Sequence, residues 1–332
     1  MKSFKIIAEI GSTHDGKINL ALKSIKKAAK CGADIIKFQM HIAEEETLKD
    51  APGPSYFKKE KRYDYFKRTA FSIENWKKII LECKKNKVEF LCSPFSIRAV
   101  EILEFLKVKY YKVPSGELTN LPLLERLKKT KKFIFLSTGM SNYQEIDNAI
   151  KVFFNRKKLC LMQCTSIYPC PDELVGLNVM NEFKKKYKVN LGFSDHTLDN
   201  LASICFTTLG ANFVEKHFTL SKKLYGSDAK FAMEPIEFKK YCSNIKRVWE
   251  MRKNKVNKNN LKPFIEMKKV FEKSIVAKRD MKKLHKIKFD DLMFLKPGTG
   301  IRADKYKKLI GLKIKKPIKE LEILKISNLS KN

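Results

Sequence analysis

Ala33-Asp34-Ile35-Ile36-Lys37-Phe38-Gln39 is a short β-rich run with a lysine at its centre. Residues two apart on a strand share a face, so Ile35, Lys37 and Gln39 point the same way. Seven further runs of this kind occur: Phe4 to Ile10, Val88 to Ser93, Tyr110 to Val113, Phe133 to Ser137, Leu159 to Cys164, Asn190 to Ser194 and Asn212 to His217. Each is followed by a turn signal and a longer helical pattern. Six of the seven spacings between their starts lie between 22 and 31 residues, the length of one βα unit. Eight such units close a (β/α)8 TIM barrel, an α/β fold. Inside that barrel Lys37 would stand in an apolar lumen, where an ammonium is costly unless an anion meets it.

The seventh spacing, 55 residues, leaves His41 to Ala70 as an irregular, aromatic-rich insertion. It follows a strand's C-terminal end and therefore lies over the face where barrel enzymes keep their sites. After Trp249 the pattern breaks into Met251 to Lys262, basic and Asn-rich without an apolar face, which reads as a linker. Beyond it the segments are short and punctuated by Pro297-Gly298, Gly300, Gly311 and Pro317. The expected division is a barrel over residues 1–255, a linker over 256–266 and a small module of strands and short helices over 267–332. A module of that size sits near the lower limit for independent folding, which makes docking onto the barrel or a partner subunit plausible.

Composition excludes several classes. With 43% hydrophobic and 11% aromatic residues the chain can bury a core, so intrinsic disorder is a poor reading. The formal charge of +34 invites a nucleic-acid reading, but 61 Lys against 9 Arg, spread along the whole chain, fits a solvated surface better. The eight cysteines form no CxxC pair and mostly sit in apolar runs, as buried free thiols do. Glu9 interrupts the apolar amino terminus, and the longest uncharged stretch, Asn200 to Val214, is too short for a bilayer. The expectation is a cytoplasmic protein with neither a membrane nor a nucleic acid as partner.

Nearly every strand ends in polar chemistry that a barrel would bring to one mouth: Glu9, Lys37 with Gln39, Ser93, Lys112 followed by Ser115 and Glu117, Ser137-Thr138-Gly139, Thr165-Ser166 with Tyr168, Ser194-Asp195-His196, and Lys216-His217. Two interior lysines ringed by Ser93, Ser115, Ser137, Ser166 and Ser194 suit a phosphorylated, carboxylated small molecule. The competing expectation is that each lysine pairs with a strand-end glutamate, Glu9 or Glu117. His196 and His217 end consecutive strands and can converge on one ion, and two ligands suit Mn²⁺ or Mg²⁺ better than structural zinc. His14 is a weaker candidate, His41 and His285 read as surface or loop residues, and Cys164 reads as packing because no clear base stands beside it.

Ile36-Lys37-Phe38-Gln39, Tyr111-Lys112-Val113-Pro114-Ser115-Gly116-Glu117, Cys164-Thr165-Ser166-Ile167-Tyr168-Pro169, Gly192-Phe193-Ser194-Asp195-His196-Thr197 and Glu215-Lys216-His217-Phe218-Thr219 occur in order along the barrel. With them the chain resembles the sialic acid synthases and their relatives that make legionaminic and pseudaminic acids. Its tail, with Lys296-Pro297-Gly298-Thr299-Gly300-Ile301, resembles that family's antifreeze-like (SAF) domain. The resemblance implies condensation of phosphoenolpyruvate with an N-acylated amino sugar such as N-acetylmannosamine, releasing phosphate. It implies phosphoenolpyruvate at Lys37, Ser93, Lys112, Ser115, Ser137, Ser166 and Ser194, and a divalent metal, Mn²⁺ or Mg²⁺, at His196 and His217. Catalysis falls to Glu9 and Glu117, and further substrate contacts to Gln39, Tyr168, Asp228 and Lys296. A domain-swapped, head-to-tail homodimer is implied as well, the small domain covering the partner's barrel mouth. Lys296 stands where the sialic acid synthases have an arginine, Ser166 where they have an asparagine, and Thr13 where an asparagine is usual. These departures leave sialic, legionaminic and pseudaminic types open, with a 6-deoxy diacetamido sugar as the alternative acceptor. A barrel that makes 3-deoxy sugar acids and a non-catalytic carbohydrate-binding barrel are the rival readings.

Overall fold

A computed structural model describes residues 4–53 and 60–330. The chain divides into two compact units, Met1–Asn254 and Lys255–Asn332. The first is a closed barrel of eight parallel strands in sequence order: β1 (Lys5–Gly11), β2 (Ile35–Met40), β3 (Glu89–Pro94), β4 (Tyr110–Val113), β5 (Phe133–Ser137), β6 (Leu159–Cys164), β7 (Asn190–Asp195) and β8 (Phe213–His217). Pairing of Glu9 with His217 and of Ile7 with Ile35 joins β1 to both neighbours and closes the ring.

Helices cover the outside: α1 (Ile18–Cys31), α2 (Ala43–Glu46), α3 (Arg62–Thr69), α4 (Ile73–Lys85), α5 (Ile97–Phe105), α6 (Leu121–Lys129), α7 (Tyr143–Val152), α8 (Leu177–Lys186), α9 (Leu201–Leu209) and α10 (Pro235–Lys253). Their starts follow capping chemistry. Ser72 and Ser96 each accept a backbone N–H of the first turn, and Asn142 and Glu145 form a reciprocal capping box. Gly32, at φ 106°, ends α1 in the left-handed region that glycine enters without strain.

The main core lies between strands and helices, with Ile6, Ala8, Ile36, Phe38, Phe193 and Phe206 among its members. The lumen holds a second, smaller cluster of Ile7, Ile35, Leu91, Phe135, Cys160 and Met162, joined by the rings of Tyr110, Phe133 and Phe213. One further pleat along most strands the residues become polar: Ile7 gives way to Glu9, Ile35 to Lys37, Leu91 to Ser93, Tyr110 to Lys112, Phe135 to Ser137 and Phe213 to Glu215. The lumen is thus an apolar floor with a polar storey above it.

The second unit has its own core, with Ile275, Met281, Leu292, Ile314 and Leu324 among its members. A helix, α11 (Ile265–Phe271), precedes an antiparallel pair, β9 (Ser274–Ala277) and β10 (Leu292–Leu295). Asp291 is fully buried there, accepting from Arg279 Nε at 2.7 Å and facing His285 Nε2 at 2.8 Å. Burial alone would raise its carboxyl, but these partners bring it down to about 2. His285 is therefore a partner of a buried carboxylate and not a free surface residue.

One expectation about the chain's course needs correction. The linker does not begin at Met251, because α10 continues through Lys253, and α11 (Ile265–Phe271) starts inside the expected linker. The described part of the insertion contains two short helices, α2 and α3, within otherwise irregular chain; residues 54–59 lie outside the described residues. Among the described residues no helix is long and apolar enough to cross a membrane.

Candidate active site

The polar storey opens into a cavity of about 570 Å³ at the C-terminal ends of the strands. At its base four charged side chains, each no more than 5% exposed, form one cluster. Lys37 Nζ lies 2.9 Å from Glu9 Oε1 and 3.2 Å from Glu215 Oε1, and Lys112 Nζ lies 2.7 Å from Glu215 Oε2. Ser194 Oγ donates to Glu215 Oε1 at 3.3 Å. Glu215 is thus the hub, and the sequence reading passed over it. The pairing rule that exposed Lys37 applies equally to β8, where Phe213, Glu215 and His217 share the inner face.

The other residue of that triplet, Lys216, faces out. Its ammonium pairs with Asp195 Oδ1 at 3.0 Å behind the barrel wall, where Ser203 also donates to Asp195 Oδ2 at 2.6 Å. Asp195 and Lys216 were expected at the mouth; the strand pleat sends them to the helix side.

The two cations in the cluster respond differently to burial. Burial lowers both, but Lys37 meets two carboxylates, Glu215 and Glu9, which lift it above the ordinary lysine value. Lys112 meets only Glu215, with Lys37 opposing, and stays below. Burial raises the carboxylates too. For Glu215 the two ammonium groups outweigh it and bring the carboxyl down to about 2, whereas Glu9 is pushed up to about 7 by burial, Lys37 opposing the rise and Glu215 adding to it. One base of the pair is therefore firmly ionised and the other titrates near neutrality, a division of labour that proton-transfer sites use.

Five buried side-chain atoms among the described residues have no hydrogen-bond partner: Glu9 Oε2, Glu46 Oε2, Ser93 Oγ, Ser137 Oγ and His217 Nδ1. Four of them belong to the polar storey. Native proteins rarely leave such atoms unmet, and their concentration at one place marks a ligand's seat.

Ser115 and Ser166 complete the wall of that seat around Gly139. Gly139 N donates to Ser115 Oγ at 3.0 Å, and a Cβ on Gly139 would stand 2.5 Å from Ser166 Oγ and 2.9 Å from Cys164 Sγ. Only glycine lets the two hydroxyls approach the backbone. Asp228 stands across the cavity, its Oδ2 2.7 Å from where a Cβ on Gly11 would lie, and its Oδ1 accepts from Ser227 at 2.9 Å. Glu117 lines the cavity half-buried, with Asn120 Nδ2 donating to it at 2.8 Å; burial raises its carboxyl against that bond. It pairs with neither lysine. Lys296 belongs to the second unit, where its ammonium lies 5.1 Å from the centre of the Phe271 ring.

His196 and His217 do converge, ring centres 5.8 Å apart. His196 Nδ1 donates to the Thr165 carbonyl at 2.7 Å, which leaves the Nε2 lone pair toward the cavity, 3.0 Å from the Tyr168 hydroxyl. Burial brings His217 down to about 4, so it is neutral with Nδ1 unmet. Two imidazole rings, one fixed by a carbonyl behind it, fit a divalent cation that keeps open positions. Among the described residues no third His, Cys, Asp or Glu joins them in a metal-holding group. Cys164 has an imidazole beside it, His196 Nδ1 lying 3.7 Å from its sulfur, but that nitrogen is occupied in donating to the Thr165 carbonyl. Burial pushes that thiol up, yet His196 outweighs it and brings it below the ordinary value.

His41, expected as a surface or loop residue, does lie in the loop after β2, but it is buried there, 8% exposed. His14 is also buried, its Nδ1 accepting from the Gly16 N–H at 3.0 Å, and burial holds its ring neutral.

Comparison with known proteins agrees with this geometry. The NeuB family model matches residues 24–257 and the SAF domain model residues 272–330. The N,N'-diacetyllegionaminic acid synthase of Campylobacter jejuni is 36% identical, covering 98% of this chain and 100% of that protein. The pseudaminic acid synthase of Helicobacter pylori is 31% identical over 95% of this chain and 94% of its own length. Among solved structures, the N-acetylneuraminic acid synthetase of Leptospira borgpetersenii, in complex with citrate, superposes with a TM-score of 0.69 at 26% identity, covering 80% of this chain and 91% of that one. The barrel is that of the NeuB family, to which this chain belongs, and a SAF domain follows it in the sequence.

Proposed function

We propose that the chain is a nonulosonic acid synthase that joins phosphoenolpyruvate to an N-acylated amino sugar and releases phosphate by C–O cleavage. The observation that carries this reading is the set of unmet polar atoms, Glu9 Oε2, Ser93 Oγ, Ser137 Oγ and His217 Nδ1, around two buried lysines. Such a seat suits a small dianionic or trianionic substrate. Membership of the NeuB family and likeness to legionaminic and pseudaminic acid synthases support the same reading.

In this proposal Lys37 and Lys112 hold the carboxylate and phosphate, with hydroxyls of Ser93, Ser115, Ser137, Ser166 and Ser194 supplying hydrogen bonds. A Mn²⁺ or Mg²⁺ ion held by His196 and His217 supplies Lewis acidity toward the sugar's aldehyde oxygen. The enol carbon C3 bonds to the aldehyde carbon, a proton passes to the aldehyde oxygen, water adds at C2, and the C2–O bond to phosphate breaks. Glu9, poised near 7, takes a proton from that water on Oε2 and passes it to the departing phosphate, the water's other proton balancing the one gained by the aldehyde oxygen. Glu117, Gln39, Tyr168 and Asp228 orient the sugar higher in the cavity. The small domain, with Lys296, closes the mouth within a head-to-tail homodimer. A mass in solution of one chain instead of two would remove that last element.

Purified protein supplied with phosphoenolpyruvate and Mn²⁺ should release phosphate only when an acceptor is added. Assaying 2-keto acid product with N-acetylmannosamine and with its 6-deoxy diacetamido analogues identifies the acceptor. Failure of every sugar would overturn the synthase reading in favour of a carbohydrate-binding barrel.

A further inference from the structure

The Glu9 carboxylate is held from one side by Lys37 and from the other by Gln39, whose Nε2 donates to Glu9 Oε1 at 2.6 Å. A carboxamide can meet a carboxylate usefully only with its NH2 end; turned over, it would set two acceptors against each other. Something has to fix which way it points. Because Gln39 Nε2 is committed to Glu9, Gln39 Oε1 must accept, and what faces it is His41 Nε2 at 3.0 Å. That nitrogen therefore carries hydrogen. On the far side of the ring His41 Nδ1 meets Glu46 Oε1 at 2.7 Å, with both side chains no more than 6% exposed. The ring itself is clamped, its centre 3.8 Å from Phe66 and 4.2 Å from Phe95, nearly parallel to both.

We propose that His41, oriented by Glu46 and clamped by Phe66 and Phe95, is a positioning residue that locks the Gln39 carboxamide with its NH2 toward Glu9. Glu46 comes from α2 and Phe66 from α3, so the orienting carboxyl and one half of the clamp belong to the insertion between β2 and β3, while Phe95 follows β3. The insertion thereby acts on the acid–base glutamate at the base of the cavity through two side chains, without touching the reacting atoms itself. The role rests on the proposed synthase activity only for its kinetic consequence; the hydrogen-bond order stands independently.

Two variants separate donor from packing. His41→Phe keeps an aromatic ring between Phe66 and Phe95 but removes the N–H, whereas His41→Gln retains an N–H near the same place. His41→Phe should lower kcat about 10- to 100-fold, since a displacement of this kind near reacting groups has effects up to that size. His41→Gln should recover most of that loss. In a Gln39→Ala background His41→Phe should cost no more than about twofold further, because residues acting through one another are non-additive. Additive losses, or full activity in His41→Phe, would overturn the proposal. Nitrogen-15 spectra of the histidine rings give the readout that does not depend on turnover. The His41 Nε2 should appear protonated, with a shift that moves in Gln39→Ala. An unprotonated Nε2 would overturn the positioning role whatever the kinetics. A protonated Nε2 in a protein that turns over no sugar would sink the synthase reading and leave the hydrogen-bond order standing.

Discussion

Glu215→Leu destabilises the barrel by roughly 3–5 kcal/mol at neutral pH, the usual size of the effect when one partner of a buried ion pair is removed. The loss falls at the upper end because the carboxylate serves two ammonium groups, Lys37 at 3.2 Å and Lys112 at 2.7 Å, on two different strands. Without it Lys112 has no carboxylate partner and Lys37 keeps only Glu9. Urea unfolding at pH 7 measures the difference, and Glu215→Gln, which keeps the shape and an acceptor, should lose less. The sign of the pH dependence follows from the direction of the shift. The Glu215 carboxyl is held at about 2 in the folded protein against an ordinary 4.5, so its contribution is complete above about 4.5 and disappears as pH falls from there toward 2. Glu9 runs the other way: raised to about 7, it costs stability as pH climbs from about 4.5 through 7. The gap between the parent and Glu215→Gln should therefore narrow on the acid side, as pH falls from about 4.5 toward 2. Equal stability of the two at pH 7, or a gap that persists unchanged at pH 2, would show that Glu215 is not the hub.

The second large effect concerns the two imidazoles. His196→Ala and His217→Ala should each lower turnover at least about a thousandfold, because Lewis-acid polarisation supplies several kcal/mol of transition-state stabilisation. The proteins should remain folded, since neither ring carries a structural ion pair among the described residues. Binding of Mn²⁺, followed by its electron paramagnetic resonance signal, should weaken in parallel, and chelation should silence the parent protein. Turnover that survives both the chelator and His217→Ala would remove the metal from the mechanism while leaving the lysine cluster as the anion seat.

The strands were legible because each is short, apolar and followed by a helix at nearly constant spacing; β4, β5 and β6 have the limits expected, and the others shift by two residues or fewer. Alternation along β2 placed Lys37 inside. The same alternation along β8 would have placed Glu215 inside and Lys216 outside, but three consecutive polar residues, Glu215-Lys216-His217, hide the phase of the pleat when read as one motif. Asp195 was misplaced for the same reason, in Ser194-Asp195-His196. His41 follows β2 by one residue and continues its inner face, yet a strand's end gives no sign of where the next element will fold. What encloses His41 is Glu46 and Phe66, and contact between residues as far apart as 41 and 66 in an insertion is decided by tertiary packing that local periodicity does not encode. Lys296 and the dimer lie beyond the same horizon, since a small domain's sequence states its own core and not the surface it meets.

The apolar floor of the lumen has a kinetic consequence. Phe133, Phe135, Phe213 and Tyr110 close the barrel beneath Lys37 and Lys112, so the site is a well that opens at the C-terminal ends of the strands. Whatever lodges against the two ammonium groups must arrive before anything that occupies the space above them, and it cannot depart while that space is filled. Order of addition and order of release are thus imposed by the shape of the vessel, with no conformational step required: the deeper reactant enters first and the last species to leave is the one that lay lowest.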